Sequence, residues 1–409
     1  MINYFQSKEN SKSTLIILIS IFLAIIGFYN HKIIIELYGL KGFELYSSIL
    51  ALTAIFSNFF LIGTRSTFLT LRDNKDLLKS YFIISSVIVL FFAFLSGILL
   101  NILLLNSHEK ILNDYSFAIN FFLIMQSMIF LFSFYLNALN KPVVSKLVSL
   151  FPAITLLIIL LMKISKDIVT MMSYSFFITL IIFLPLFYLN LKKYKFLNNL
   201  DLNDLRKELY KGLNFAFSNV IDAFTNRLNI LFCIFIISDL GEMAIYSIAL
   251  SVSKISSLMI NSISHVYSPK IADSVLIKKN KQSSYANNMK NISLLLTGMF
   301  FLTFLFLGEV FIEYFYPESY YESYFVALIL LLGQICNSFF NSEIIRIKLS
   351  GNSFDIAKLK LILLPIFLII NYPLYHYLGL NGIAVWHVLF MNIFFNILIT
   401  NVPKFSDNI

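Results

Sequence analysis

The sequence predicts an all-α polytopic membrane protein of about twelve transmembrane helices in two pseudo-symmetric six-helix bundles, and three observations predict it. First, 58% of the 409 residues are hydrophobic and only 13% are charged, with 44 Phe, 22 Tyr and a mean hydropathy of +0.81. A soluble domain cannot solvate such a chain. Second, apolar runs of about 17 to 25 residues, long enough to carry a helix across a ~30 Å hydrocarbon core, recur from end to end. Third, the stretch FELYSSILALTAI from Phe43 returns in altered form as EMAIYSIALSVSK from Glu242.

The runs in the first half are 13–28, 42–62, 81–105, 116–136, 147–162 and 170–189. Those in the second half are 213–237, 244–264, 291–315, 324–341, 361–378 and 382–400. Lys8 and Lys12 precede the first run as they would in a signal peptide, but no small-residue cleavage site follows, so it reads as a retained helix. Connections are short, the longest being 191–212 and 265–290, and none houses an extramembrane domain. The halves are therefore 1–198 and 213–409, joined by a cytoplasmic linker at 199–212.

Orientation follows from the cations. With the N-terminus inside, the outer connections hold Lys32, Lys41, Lys110, Lys163 and Lys166, Arg227 and Lys254 fall within spans, and the rest of the 31 Lys and Arg lie inside. That asymmetry puts both termini in the cytoplasm. The net charge of +9 is thus a signature of topology and gives no reason to expect nucleic acid as a partner. Cys233 and Cys336 lie deep in spans and supply neither a disulfide framework nor a metal site. No metal, cofactor or catalytic residue is expected: the chain has no Walker-type loop, zinc pattern or nucleophile elbow.

The repeat aligns Leu40 with Leu240, Tyr46 with Tyr246, Ser47 with Ser247 and Leu50 with Leu250. A second echo pairs SKLVSLFPAI from Ser145 with AKLKLILLPIF from Ala357, each with a proline near the start of a fifth helix. Six spans is an even number, so the halves enter the membrane in the same orientation, the parallel type of transporter repeat with a binding site expected between them.

Polar residues fall in stripes, although an unpaired polar group in hydrocarbon costs several kcal/mol. The seventh span carries Asn214, Ser218, Asp222, Asn226 and Asn229 on one face, and the eighth carries Ser247, Ser251, Lys254, Asn261 and His265. The tenth repeats Gln334, Asn341 and Lys348 at heptad spacing with Asn337 between, and the fourth has Gln126, Ser133 and Asn140. Such stripes either hydrogen-bond helices together or line a hydrated cavity. In the cavity reading, Arg227, Lys254, Asn226, Asn229, Asn261, Gln334 and Asn341 bind substrate.

Asp222 and Lys254 each lie roughly 14 Å from the cytoplasmic face at ~1.5 Å per residue. They read either as a salt bridge between adjacent helices or as a coupling pair. Arg227 lies further outward, and its planar guanidinium suits a phosphate. At the inner mouth, Arg65, Arg72, Lys141, Arg346 and Lys348 are placed to attract anionic head groups. Glu309 in the ninth span reads as an acid paired with a neighbouring helix or coupled to an ion, and His376 and His387 as interfacial or packing residues. The first-half spans show no central carboxylate.

Four stretches resemble one family in order and spacing: ELYGLKGFELYSSILAL, DLGEMAIYSIALSVSKISSLMINSISHVYSPKIADS with Pro269-Lys270, FYPESYYESYFVALILLLGQICNSFF, and YHYLGLNGIAVWHVLF with Gly379, Gly382 and Ala384. Their order and spacing span nearly the whole chain, and they are similar to the polysaccharide, O-antigen type (Wzx-type) flippases of the multidrug/oligosaccharidyl-lipid/polysaccharide exporter superfamily. The resemblance implies a MATE-like V of two six-helix lobes, alternating access, and movement of undecaprenyl-diphosphate-linked oligosaccharide from the cytoplasmic to the outer leaflet of a bacterial inner membrane. It also implies a cation-lined cavity, membrane lipids and polysaccharide-assembly proteins as partners, and function as a monomer. This chain departs from a symmetric pair of anion sites, because Ala54 stands where Lys254 has its counterpart.

The alternatives are a multidrug exporter of the same superfamily, for which a buried first-half carboxylate is expected, and a lipid II flippase, for which two further helices and more cavity arginines are expected. A membrane-embedded polysaccharide polymerase or ligase is expected to carry a large outer loop, which this chain does not have.

Overall fold

The computed structural model describes residues 8–61, 64, 67–68, 71, 74–105, 116–139, 141–165, 167–193, 221, 225, 229, 232, 240–276, 282–349 and 353–401, and these are almost entirely helical. The helices are α1 (Lys8–Phe60), α2 (Lys75–Leu105), α3 (Ser116–Ala138), α4 (Pro142–Met162), α5 (Ile168–Lys192), α6 (Leu240–Leu276), α7 (Gln282–Phe315), α8 (Ser323–Leu349), α9 (Ser353–His387) and α10 (Phe395–Asn401). A 3-10 turn at Glu318–Tyr320 links α7 to α8, and a π-helical stretch at Val388–Phe394 links α9 to α10. Eight helical stretches among the described residues are long and apolar enough to cross a membrane.

Two pairs of expected spans run into one another at single-residue corners. α1 breaks at Gly39 (φ 69°, ψ −172°) and α9 at Gly379 (φ 59°, ψ −146°), backbone conformations open essentially only to glycine. Both corners read Gly-Leu-x-Gly, as Gly39-Leu40-Lys41-Gly42 and Gly379-Leu380-Asn381-Gly382. The second glycine of each is required by close approach: a Cβ on Gly42 would run into that of Tyr38, and one on Gly382 into the Leu374 carbonyl and, at 2.9 Å, Leu378. The first glycine breaks the helix and the second lets the next segment start in close contact with the residues just before the break.

Packing divides the chain into two compact units, Met1–Phe28 with Leu228–Ile409, and Tyr29–Arg227. In the latter, α3 contacts α2, α4 and α5, around a core that includes Leu78, Tyr81, Phe82, Leu123, Phe132, Tyr135 and Leu136. Its aromatic rings interlock, Phe82 with Tyr135 at 4.6 Å and Phe132 with Phe187 at 4.5 Å between centroids. Many hydroxyls bond back to their own helix, as Ser48 does on the Glu44 carbonyl and Thr179 on that of Ser175. Others cross between helices: Ser133 meets Ser145 at 3.0 Å, Thr155 meets Thr179 at 3.1 Å, and Asn30 donates to the Ala153 carbonyl at 2.9 Å. At one end of this unit Tyr38 donates to the Ser165 carbonyl (2.9 Å), and Asp167 caps α5 by accepting from the Val169 and Thr170 backbone N–H groups.

In the other unit α8 is the central helix, packed on α6, α7, α9 and the π stretch. Phe28 of α1 belongs to this unit and meets Phe311 edge-on at 5.0 Å. α7 leaves most of its surface uncovered, with Phe306 78% exposed, as befits a helix facing acyl chains.

Candidate functional site

The polar stripes of the Leu228–Ile409 unit converge on α8. Ser257 of α6 donates to Gln334 Oε1 at 2.9 Å, and one heptad on Asn341 donates through Nδ2 to Ser264 Oγ at 2.8 Å. The two bonds keep the same sequence offset, so α6 and α8 run parallel in fixed register. On the α7 side Thr297 meets Ser338 at 2.9 Å, and on the α10 side Asn396 donates to Asn337 Oδ1 at 3.0 Å. The heptad face of Gln334 and Asn341, expected to line a cavity, is thus engaged by α6, and Asn337 between them by α10.

A second polar cluster joins three of the expected spans. Asn229 is 3% exposed; its Nδ2 donates to the Tyr246 hydroxyl at 2.5 Å and its Oδ1 accepts from Asn371 Nδ2 at 3.2 Å. Asn371 is fully buried, and among the described residues its own Oδ1 has no hydrogen-bond partner. Asn371 escaped the sequence reading because it stands alone between two prolines, Pro365 and Pro373, rather than in a stripe.

Lys254 sits mid-way along α6 and is half-buried, and Asn261, two turns further on, is exposed. Between Lys254 and the start of the helix, Ser251 bonds back to the Ser247 carbonyl at 2.8 Å. Asp222, Asn226 and Arg227 lie outside the described residues, as do Arg65 and Arg72. Lys348 belongs to α8, but its side chain lies outside the description. Of the remaining mouth residues, Lys141 donates to Asn190 Oδ1 at 2.6 Å, tying the start of α4 to the end of α5, and Arg346 pairs with Glu343 at 2.8 Å on an exposed face of α8. A surface pair of that kind adds little to stability.

Glu309 is exposed on α7, and His376 is exposed near the Gly379 corner. His387 packs edge-on against Phe367 at 6.1 Å, a packing position. One buried carboxylate was missed: Glu44, in the turns that follow the Gly39 break, is 8% exposed. It stands two residues inside the expected span 42–62, at one end of the run, where an acid is not counted as a central carboxylate. Among the described residues no group of three His, Cys, Asp or Glu comes together to hold a metal.

No family model and no curated protein matches the sequence. Solved structures do. A variant of the MATE transporter VcmN of Vibrio cholerae superposes with a TM-score of 0.70 at 13% identity over 98% of this chain and 97% of that one. The MATE multidrug transporter DinF-BH gives 0.69 at 15% over 98% and 95%. The lipid II flippase MurJ, in an inward closed conformation, gives 0.62 at 16% over 95% and 87%. Coverage is high and identity low throughout, so what is shared is the fold: this chain has the MATE-like fold of the MATE transporters, and MurJ shares it over 87% of its own length.

Proposed function

We propose that the chain is a flippase that moves undecaprenyl-diphosphate-linked oligosaccharide repeat units, of the O-antigen, capsule or exopolysaccharide type, from the cytoplasmic to the outer leaflet of a bacterial inner membrane by alternating access. The observation that carries the reading is the MATE-like fold combined with a cation, Lys254, half-buried within the stretch Met243–Ile260 of α6, whose other residues are apolar or hydroxyl-bearing. A charge at that depth is costly and marks a functional position by default. The solved relatives include a protein named as a lipid II flippase, and a lipid-linked diphosphate is the kind of cargo that a mid-membrane cation serves.

In this mechanism Arg227 and Lys254 hold the diphosphate, the guanidinium by paired N–H donors and the ammonium as a point charge. Asn226, Asn229, Asn261, Gln334 and Asn341 offer amides to sugar hydroxyls as helices rearrange, Asn261 being exposed in the present arrangement. The mouth cations Arg65, Arg72, Lys141, Arg346 and Lys348 gather the head group, while the polyprenyl tail stays in lipid. Outward movement of negative charge runs downhill in an inside-negative potential by roughly 2.3 kcal/mol per charge per 100 mV. Asp222 either couples an ion or neutralises Lys254 between cycles.

A multidrug exporter is the second reading, favoured by the TM-scores of 0.70 and 0.69 for VcmN and DinF-BH against 0.62 for MurJ and by the buried acid Glu44 in the first half. One experiment separates the two: depletion of the protein followed by measurement of lipid-linked oligosaccharide accessible at the outer leaflet. Loss of outer exposure, with accumulation inside, is expected. Unchanged exposure refutes the flippase reading.

A further inference from the structure

In the last transmembrane helix the backbone departs from α geometry over Val388–Phe394, and the Phe395 N–H closes the stretch by donating to the Phe390 carbonyl, five residues back. A π turn holds one more residue than the α turn it replaces and persists only where tertiary contacts favour it. Such contacts flank this stretch on both sides. Asn392, 5% exposed, projects from the wide turn at α8 where Gly333 has no side chain: a Cβ there would run into Asn392 Nδ2 and approach Val388 Cγ2 to 2.8 Å. Below the turn, Asn396 donates to Asn337 Oδ1 at 3.0 Å and to the Asn392 carbonyl at 2.8 Å. Above it, Trp386 donates to the Phe367 carbonyl at 3.1 Å. The two anchors on either side are satisfied together only because the extra residue is stored between them.

We propose that residues 388–394 form a two-state element of the transport cycle: π-helical as observed, and α-helical in a second state in which the stored residue is expelled. Tightening the turn advances the lower segment by one residue, about 100° of rotation and ~1.5 Å of rise. Asn396 then leaves Asn337, and Phe395, which in the observed register is buried in a cluster with Ile347 of α8 and Ile356 of α9, takes the place opposite Asn337. Helix register shifts of this kind belong to the microsecond-to-millisecond motions that gate transporters. A packing accident would also produce a π turn, but it would have one register only.

Cysteine cross-linking of the full-length chain in membrane vesicles tests this, in a background carrying Cys233→Ala and Cys336→Ala. Asn337→Cys with Asn396→Cys reports the observed register, Asn337→Cys with Phe395→Cys the shifted one, and Asn337→Cys with Ile397→Cys is the control displaced the other way. The first two pairs are expected to give an intramolecular cross-link well above the control. A shifted pair no better than the control overturns the proposal. Should the Phe395→Cys chain fail to accumulate, deletion of Met391 decides, since it removes the stored residue and leaves both anchors in register: loss of transport at normal abundance supports the element, and wild-type transport overturns it. The cross-linking arm needs no substrate, so it stands whether or not the chain moves lipid-linked oligosaccharide.

Discussion

Asn229 and Tyr246 meet at 2.5 Å, amide to hydroxyl, and Asn371 closes the cluster by donating to Asn229. Tyr246 has a sequence counterpart in Tyr46, yet Tyr46 lies against the His31 ring at 5.6 Å and the Phe43 ring at 6.3 Å. The same residue of the repeat is held by polar contacts in one unit and by aromatic ones in the other. Tyr246→Phe is therefore expected to strand a buried amide and lower stability by about 1–2 kcal/mol, the range of interhelical hydrogen bonds in membranes. Tyr46→Phe keeps its ring contacts and is expected to cost less. Thermal unfolding in detergent checks both, and equal shifts would contradict the assignment.

The Gly-Leu-x-Gly corners give a second expectation. Gly39→Ala and Gly379→Ala place a Cβ in a conformation that costs about 1–3 kcal/mol, and Gly42→Ala and Gly382→Ala force apart backbone and side chains already in contact. Gly27 and Gly298 are helical with open space around the would-be Cβ, so their alanine variants are expected to match or slightly exceed wild-type stability. A melting series across the six variants tests the sorting. Destabilisation by Gly27→Ala as large as that of Gly39→Ala would overturn it.

What the sequence revealed and what it hid divide along physical lines. Span positions were legible because a bilayer demands long unbroken apolar runs, which is why the expected edges at 116–136 and 147–162 fall within α3 and α4. The heptad face of Gln334 and Asn341 was legible as a stripe, but its partners were not. Ser257 and Ser264 are two serines among many on α6, and only the register of two packed helices selects them. The π turn left no trace, since one stored residue changes neither composition nor hydropathy. Glu44 was hidden because it stands at the very end of an expected span, where an acid reads as interfacial, while the helix break at Gly39 and the packing beyond it bury that end.

The Ser257–Gln334 and Ser264–Asn341 bonds predict a measurable coupling. Double-mutant cycles with Ser257→Ala and Gln334→Ala, and with Ser264→Ala and Asn341→Ala, are expected to return interaction energies of about 0.5–1.5 kcal/mol in unfolding. Pairing Ser257→Ala with Asn341→Ala should give additive losses, because the two bonds lie about two helical turns apart. Coupling across that non-bonded pair and none within the bonded ones would mean that the α6–α8 register is not held as described.

Lys254 offers the sharpest separation of charge from packing. Its stem is half-buried, so Lys254→Met preserves most of the hydrophobic contact and removes the cation, whereas Lys254→Arg keeps the charge on a longer, planar head. If the cation holds a diphosphate, Lys254→Met and Arg227→Ala both lower outer-leaflet exposure of lipid-linked oligosaccharide at normal membrane abundance, and Lys254→Arg recovers part of it. Asp222→Ala tests the structural alternative: a salt-bridge partner left without its carboxylate lowers abundance, by the few kcal/mol that an uncompensated buried charge costs. Reduced abundance in both Lys254→Met and Asp222→Ala, with normal export per molecule, would make the pair a strut and would leave Arg227 as the cation on which anion binding rests. Normal export in Arg227→Ala as well would remove the anion site.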